Sequence, residues 1–342
     1  MVEIEFRKAL APASAEMCVG FAEEIERLGY SGFWYPHAIA RDIPSLETLT
    51  VLAGVATRTS KIRIGTAVLQ IPLYPPFALA QTLMTIDHLS NGRLVLGAGT
   101  GWLPHEFANL GLSFKERAGR TDEALQIIKR LWTEEEVTHE GKYYTLREAR
   151  LIPKPVQKPH PKIIIGGVYN IGQQGYPGEK PRPVWSERAI RRIARVGDGW
   201  ISPHVISPEN AVEVFSEALE RIRAAAREEG RTISDEEFEL VAETSPFNVN
   251  ENKQKAVEEA LGLYSSRSAR GFLQVAGNPS FEDLVHHGAC GPAEEVAAMV
   301  NSWLAVKKHV PALKRIQLNI GSLDPIEQLR KFHAQVQPLL DQ

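Results

Sequence analysis

Residues 80–102 read AQTLMTIDHLSNGRLVLGAGTGW and contain, in order, an apolar helical stretch, a short turn and an apolar strand that ends in glycines. The helix, predicted over 76–89, starts with proline, whose missing N–H costs little in the first helical turn. The strand, predicted over 93–98, is continuously apolar, which is typical of a parallel strand covered on both faces. This unit predicts a helix packed against a parallel sheet.

Short apolar strands and longer amphipathic helices alternate in the same way through the rest of the chain. Strands are predicted over 2–6, 31–36, 62–71, 93–98, 162–165, 199–202, 239–242 and 315–320. Helices are predicted over 15–28, 45–58, 76–89, 116–132, 186–196, 208–229, 292–306 and 325–339, with shorter helical pieces near 253–264 and 281–287. The alternation predicts an α/β fold, a closed (β/α)₈ TIM barrel that forms a single domain over 1–342.

The chain is longer than the ~250 residues typical of such a barrel, so the surplus should lie in loop insertions. Two stretches lack a helical period: about 134–161, with four prolines, and about 168–185, rich in glycine and proline. We expect both at one mouth of the barrel, because loops on a rigid scaffold usually carry the chemistry.

Composition restricts the class of protein. With 39 Lys and Arg against 42 Asp and Glu, the formal net charge is −3, and 43% of the residues are hydrophobic. These values exclude a disordered chain, and the near-neutral balance argues against a nucleic-acid partner. Two cysteines are too few for a disulfide framework, which favours a cytoplasmic protein. No apolar run approaches the ~20 residues that span a bilayer, and the first eight residues do not resemble a signal peptide.

Gly97, Gly99 and Gly101 follow the strand predicted over 93–98. Their spacing, G-x-G-x-G, differs from the G-x-G-x-x-G of a dinucleotide site, and Trp102 with Pro104 makes a poor helix entry for a pyrophosphate. Two interpretations remain open: a tight exit from the strand, or a glycine-lined wall that lets a flat ring approach the main chain.

Gly166 and Gly167 follow the strand predicted over 162–165, and an arginine-rich helix follows over 186–196. Paired glycines expose main-chain N–H groups, and a helix N-terminus favours an anion. The pattern therefore fits the phosphate of a cofactor tail as well as it fits an ordinary turn beside a solvated basic helix face.

His37 follows an aromatic strand, at the rim where a barrel carries its catalytic residues. Such a histidine can exchange a proton near neutral pH or make a structural hydrogen bond. His105 and Glu106, just after the glycines, either line the same mouth or begin a solvent-facing helix. The chain has no convincing metal constellation, no GxSxG nucleophile elbow and no GxxxxGK[ST] phosphate loop.

Three stretches together resemble the bacterial luciferase-like flavin- and deazaflavin-dependent oxidoreductases. They are 65–74 with 80–102 (GTAVLQIPLY and AQTLMTIDHLSNGRLVLGAGTGW), 106–132 with 141–167, and 191–200 (RRIARVGDGW). The resemblance extends over roughly residues 20–339 and implies a (β/α)₈ barrel that binds FMN or the deazaflavin coenzyme F420 at its mouth.

The resemblance also implies roles for particular residues. A non-proline cis peptide is expected near Ala67–Val68, and His37 is the expected catalytic residue. The aromatic side chains of Tyr74 and Trp102, by their residue type and not by the resemblance, are expected to line the substrate pocket, with ordinary packing as the alternative. The expected cofactor-binding residues are Thr66, Ala67, Val68, Gly99, Gly101, His105, Gly166 and Gly167. Relatives are commonly dimers, so a homodimer is expected, with a small organic molecule as substrate.

This chain departs from the family pattern at three places. Pro36 stands where many deazaflavin members have the aspartate of an Asp-His pair, and Trp102 stands where sugar-phosphate-oxidising relatives have an acid. Residues 168–185 separate the double glycine from the helix that normally follows it directly. Three readings are therefore kept: hydride transfer with coenzyme F420, monooxygenation with reduced FMN, and a non-catalytic barrel relative.

Overall fold

A computed structural model describes residues 2–8, 14–42, 44–171, 183–263 and 288–341. The strands are β1 (Glu3–Arg7), β2 (Gly32–Tyr35), β3 (Arg63–Thr66), β4 (Leu69–Gln70), β5 (Leu94–Gly99), β6 (Val137–Glu140), β7 (Thr145–Ala149), β8 (Lys162–Ile165), β9 (Tyr169–Ile171), β10 (Pro183–Trp185), β11 (Gly199–Ile201), β12 (Glu239–Val249), β13 (Ala289–Gly291) and β14 (Leu313–Ile320). The helices are α1 (Ala15–Arg27), α2 (Thr48–Arg58), α3 (Pro76–Leu89), α4 (Pro104–Ala108), α5 (Arg117–Thr133), α6 (Glu187–Val196), α7 (Pro208–Glu228), α8 (Lys253–Leu263), α9 (Ala293–Val306) and α10 (Pro325–Lys331).

Eight of these strands close into a parallel barrel. Around the ring, each strand pairs with the next in the order β1, β2, β3, β5, β8, β11, β12 and β14, and β14 returns to β1. The predicted (β/α)₈ barrel is confirmed. The helices cover the outside, and the largest hydrophobic cluster lies between them and the strands. Among the described helices, none combines the length and the apolarity that crossing a bilayer requires.

Two strand predictions were wrong in extent. The run predicted over 62–71 divides into β3 and β4, because the chain turns at a cis peptide between Ala67 and Val68. The strand predicted over 239–242 continues to Val249, where it pairs with β13, a short strand that the apolar pattern did not indicate.

Residues 134–161 lie at the opposite end of the barrel from the predicted mouth, so that expectation was wrong. The segment connects the end of α5 to the start of β8, and a helix-to-strand connection must lie where the strands begin. Its contacts agree: the Gln157 side-chain amide donates to the carbonyl of Leu94 at 2.7 Å, and Lys154 Nζ donates to the carbonyl of Leu131 at 2.8 Å. Only the second insertion follows the carboxyl end of a barrel strand.

That second insertion, residues 168–185, begins and ends as an antiparallel pair of strands, β9 and β10. Residues 172–182 lie outside the described residues, as does the helical piece predicted over 281–287. The main-chain N–H of Ser186 donates to the carbonyl of Val168 at 2.9 Å. The two ends of the insertion therefore lie side by side, next to the double glycine.

The barrel interior near the start of the strands is filled by a polar network, which we call the lower plug: Glu5, Trp34, Arg63, Glu239 and Arg315. Trp34 Nε1 donates to one carboxylate oxygen of Glu5 at 2.6 Å, and Arg315 Nε donates to the other at 3.1 Å. Arg63 and Arg315 both pair with Glu239. Each buried charge of the plug therefore has an opposite charge beside it, as burial requires.

Candidate active site

A cis turn stands at the carboxyl end of β3. The peptide between Ala67 and Val68 is cis, at the position that the family resemblance predicts. The Ala67 N–H donates to the carbonyl of Tyr35 at 2.9 Å, and the buried Thr66 hydroxyl donates to the carbonyl of Gly97 at 2.7 Å. These bonds fix the turn between the ends of β2 and β5.

The glycines of β5 make room for this turn. A Cβ at Gly97 would lie 1.8 Å from the carbonyl oxygen of Thr66, and one at Gly99 would lie 2.6 Å from the Val68 side chain. The space over these glycines is therefore occupied by protein. A flat ring placed here would rest on Val68, a half-buried side chain, rather than on a bare glycine wall.

Gly101 makes room for the side chains of Gln70 and Phe107 rather than for the cis turn. Its φ is +76°, in the left-handed region, and a Cβ there would lie 2.4 Å from Gln70 Oε1 and 2.9 Å from the Phe107 ring. Gln70 is buried, and neither its Nε2 nor its Oε1 has a hydrogen-bond partner within the described residues. No pattern in the sequence singles out Gln70, because it is an isolated glutamine.

The double glycine divides into two roles. The Gly166 N–H donates to the carbonyl of Ala98 at 2.9 Å, so it is not available to a phosphate. Gly167 is exposed, has φ +84°, and a Cβ there would meet nothing within 4 Å in the described part of the chain. Ser186 caps α6 by accepting from the Ala189 N–H at 3.3 Å, so the first turn of α6 begins beside Gly167 across the base of the insertion.

His37 lies at the mouth in a chain of hydrogen bonds. Its Nε2 is 3.0 Å from the Tyr74 hydroxyl, which donates to Glu47 Oε1 at 3.1 Å. The side chain is only 6% exposed, and its Nδ1 has no partner within the described ranges. Burial lowers the pKa of His37 to about 4, with nearby Glu106 and Glu47 opposing and Arg41 reinforcing the shift. The imidazole is therefore neutral near pH 7.

Glu106, not His105, is the residue of α4 that faces this cluster. Glu106 is fully buried, its Oε1 accepts from Arg41 Nε at 2.7 Å, and its Oε2 has no partner among the described residues. The Arg41 guanidinium lies 5.0 Å from the centre of the Trp102 ring. His105 is exposed, so the structure does not bring it to the other candidates.

The mouth thus combines a cis turn, a buried histidine, a buried carboxylate and a helix start beside a left-handed glycine. On a closed parallel barrel, this set at the carboxyl ends of the strands defines a TIM-barrel enzyme. The sequence model of the luciferase-like monooxygenase family matches residues 5–302, and the chain belongs to this family.

The names of two curated relatives specify two different coenzymes. An F420-dependent glucose-6-phosphate dehydrogenase of Kineococcus radiotolerans is 32% identical over 245 residues, which cover 68% of this chain and 66% of that protein. An FMNH(2)-dependent dimethylsulfone monooxygenase of Pseudomonas putida is 26% identical over 86% of this chain and 78% of that protein.

Solved structures share the fold over the full length. An F420-dependent secondary alcohol dehydrogenase, solved with an F420-acetone adduct, superposes with a TM-score of 0.78 at 20% identity and covers 100% of both chains. A monooxygenase from Streptomyces bottropensis gives a TM-score of 0.75 at 23% identity, over 98% of this chain and 99% of that one. At these identities the likeness shows the barrel alone.

Proposed function

We propose that this chain is an oxidoreductase that binds a flavin or the deazaflavin coenzyme F420 at the mouth of the barrel, with His37 as the catalytic residue that moves a proton. The observation that carries the proposal is the His37 Nδ1 atom, which is buried at the mouth without a partner in the described structure. An unpaired buried acceptor is costly to keep, so its persistence supports a ligand that uses it.

The residues at the mouth fit such a coenzyme. Val68 and the cis turn offer an apolar surface for a ring, and the Gln70 amide offers an unpaired donor and an unpaired acceptor for its polar edge. Gly167 and the first turn of α6 suit a phosphate, because the N-terminus of a helix favours an anion through its main-chain N–H groups and the positive end of the helix dipole. When bound, the coenzyme supplies the redox chemistry, either hydride exchange or, as reduced FMN, activation of oxygen.

His37 complements hydride transfer. Removing a hydride from a C–H bond beside a hydroxyl leaves a proton on oxygen, which a neutral imidazole nitrogen can accept. This supports hydride transfer with coenzyme F420 as the first candidate. Pro36 supports the second candidate, monooxygenation with reduced FMN, because the aspartate of many deazaflavin members is missing there.

Tyr74 and Trp102 are proposed as lining residues of the pocket for a small organic substrate. The Arg41 guanidinium lies over the face of the Trp102 ring. Trp102 stands at the position where sugar-phosphate-oxidising relatives have an acid. A sugar phosphate is therefore a poor expectation for this chain, despite the similarity to a glucose-6-phosphate dehydrogenase. A homodimer and a cytoplasmic location are part of the same proposal.

The experiment is a titration followed by a turnover assay. Coenzyme F420 and FMN, each in both oxidation states, are titrated into the protein while tryptophan fluorescence is recorded. The loaded protein is then mixed anaerobically with a panel of small alcohols, and oxygen consumption is measured separately with reduced FMN. Binding of one coenzyme supports the proposal; binding of neither would leave the non-catalytic barrel relative as the better account.

A further inference from the structure

We propose that Tyr74 and Glu47 set the tautomer of His37 and conduct its proton between the buried mouth and solvent. The use of this proton in a reaction rests on the proposed function above. The tautomer itself does not, since it is a property of the protein without coenzyme. Tyr74 and Glu47 are thus proposed as positioning and relay residues.

The geometry gives a continuous path. His37 Nε2 and the Tyr74 hydroxyl are 3.0 Å apart, and the hydroxyl is 3.1 Å from Glu47 Oε1. His37 is buried, whereas Glu47 is exposed at the N-cap of α2, where it accepts from the main-chain N–H groups of Leu49 at 3.1 Å and Thr50 at 2.7 Å. One end of the path is therefore in the mouth and the other is in water.

Counting hydrogens along the path fixes the tautomer. Partial burial of the carboxyl raises the pKa of Glu47, but the hydrogen bonds from Thr50, Leu49 and Tyr74 outweigh this effect, and the net pKa is lowered. The group is therefore a carboxylate and can only accept. The hydroxyl of Tyr74 has a single hydrogen, which it donates to that carboxylate. Its oxygen must then accept from His37, so the imidazole carries its hydrogen on Nε2 and presents a lone pair at Nδ1.

In this tautomer, His37 can accept a proton from the mouth at Nδ1. A proton that arrives at Nδ1 allows Nε2 to release its own to the Tyr74 oxygen, the hydroxyl proton passes to Glu47, and Glu47 releases it to water. One proton enters and one leaves, and the ring ends as the neutral Nδ1–H tautomer. The relay therefore avoids a charged imidazolium, which burial disfavours. The reverse sequence restores the starting tautomer and delivers a proton to the mouth.

The other charged groups near His37 do not break the path. Glu106 and Arg41 face the ring from α4 and from the loop after β2, and they form an ion pair with each other at 2.7 Å. The remaining neighbour that titrates is Tyr74, and burial raises its pKa above its usual value, so it stays a hydroxyl.

The first test is the ¹⁵N NMR spectrum of the histidine rings in the full chain without coenzyme at neutral pH, with His37→Gln to assign the signal. We expect His37 as the Nε2–H tautomer, and a mixture of tautomers in Tyr74→Phe. The matched control is Tyr30→Phe, which removes a 3.3 Å contact to His333 elsewhere in the barrel and should leave His37 unchanged. An Nδ1–H tautomer in the unaltered protein, or an unchanged signal in Tyr74→Phe, would overturn the proposal.

The second test separates the relay from the proposed function. With a substrate from the alcohol panel, Tyr74→Phe and Glu47→Gln should each lower turnover roughly tenfold to hundredfold and alter the solvent isotope effect. Glutamine keeps an oxygen for the helix cap, so this variant should fold if Tyr74→Phe does not. If His37→Ala is slow but both relay variants match the unaltered protein, the relay is wrong. If His37→Ala is also unaffected, the proposed function fails while the NMR result stands.

Discussion

The two ends of the barrel interior contain polar side chains in opposite conditions. In the lower plug, both oxygens of Glu5 are bonded, and Arg63 and Arg315 share Glu239. At the mouth, buried polar atoms have no partner in the described part of the chain, and these atoms are His37 Nδ1, Glu106 Oε2, and Gln70 Nε2 and Oε1. The same barrel strands run between the two ends.

The difference indicates what each end is for. A buried polar group without a partner costs about 1–3 kcal/mol, whereas a bonded one roughly offsets its desolvation. The lower plug is thus explained by stability alone. The unpaired atoms at the mouth lower stability in the protein by itself, and they are explained if a ligand completes their bonds.

The largest effect should follow from removing the unpaired acceptor that carries the proposed chemistry. His37→Ala should lower turnover by ~10²–10⁴-fold, the usual contribution of a positioned acid or base, and change coenzyme affinity little. The comparison variant is His160→Ala at the other end of the barrel, where His160 Nδ1 already bonds to the carbonyl of Pro161 at 2.8 Å. Equal turnover in the two variants would remove His37 from the mechanism.

The next largest effect concerns stability and lies in the lower plug. Arg315→Met leaves the fully buried Glu5 and the carboxylate of Glu239 without this cation, and breaking a buried pair from one side costs about 3–5 kcal/mol. Urea unfolding would measure the loss, with Arg188→Met as a control because Arg188 is exposed and forms a surface pair with Asp122. A loss below 1 kcal/mol would mean that the plug is not a structural network.

Acid should lower the stability of the protein through His37 at the mouth. The pKa of His37 is about 4 in the folded chain and near 6.5 when exposed, so the unfolded state binds more protons between these values. Stability is therefore lost as the pH falls from about 6.5 to about 4. His37→Gln lacks this titration and should be less destabilised over that range, by on the order of 1–3 kcal/mol. Parallel stability curves for the two proteins would contradict the buried, neutral state of His37.

The smallest effect gives the sharpest contrast, because it compares two glutamines. Gln70→Leu removes an unpaired amide and should leave stability unchanged or raise it by up to about 1 kcal/mol, while weakening coenzyme binding. Gln157→Leu, by contrast, removes bonds to Asp87 and to the carbonyl of Leu94 and should cost about 1–3 kcal/mol. Thermal unfolding measures both, and equal losses would show that Gln70 has partners after all.

Much of the fold could be predicted from the sequence. Apolar runs of strand length alternate with amphipathic helices, and this pattern alone identified all eight strands of the closed barrel. The cis peptide came from the family resemblance. The position predicted for residues 134–161 was wrong. The prediction rested on the composition of the segment and ignored that it connects a helix to a strand, and such a connection has to lie at the end where the strands start.

The site was less predictable for a physical reason. His37, Glu47 and Tyr74 meet in space but are separated in sequence, and no periodicity relates them. Helix α4 is only five residues long, so the sequence did not show whether His105 or Glu106 points inward. Of the two interpretations of the β5 glycines, the bare wall for a flat ring does not hold, because the space over Gly97 and Gly99 is filled by Thr66 and Val68, which only the folded chain shows.

A crystal structure of the chain soaked with coenzyme F420 or with FMN tests most directly whether a coenzyme completes the bonds of the unpaired atoms at the mouth. We expect the ring on Val68 beside the Gln70 amide, the phosphate at Gly167 and the first turn of α6, and His37 Nδ1 facing the space over the ring. A mouth that stays empty at saturating coenzyme, or is closed by side chains that bond these atoms, would contradict the account.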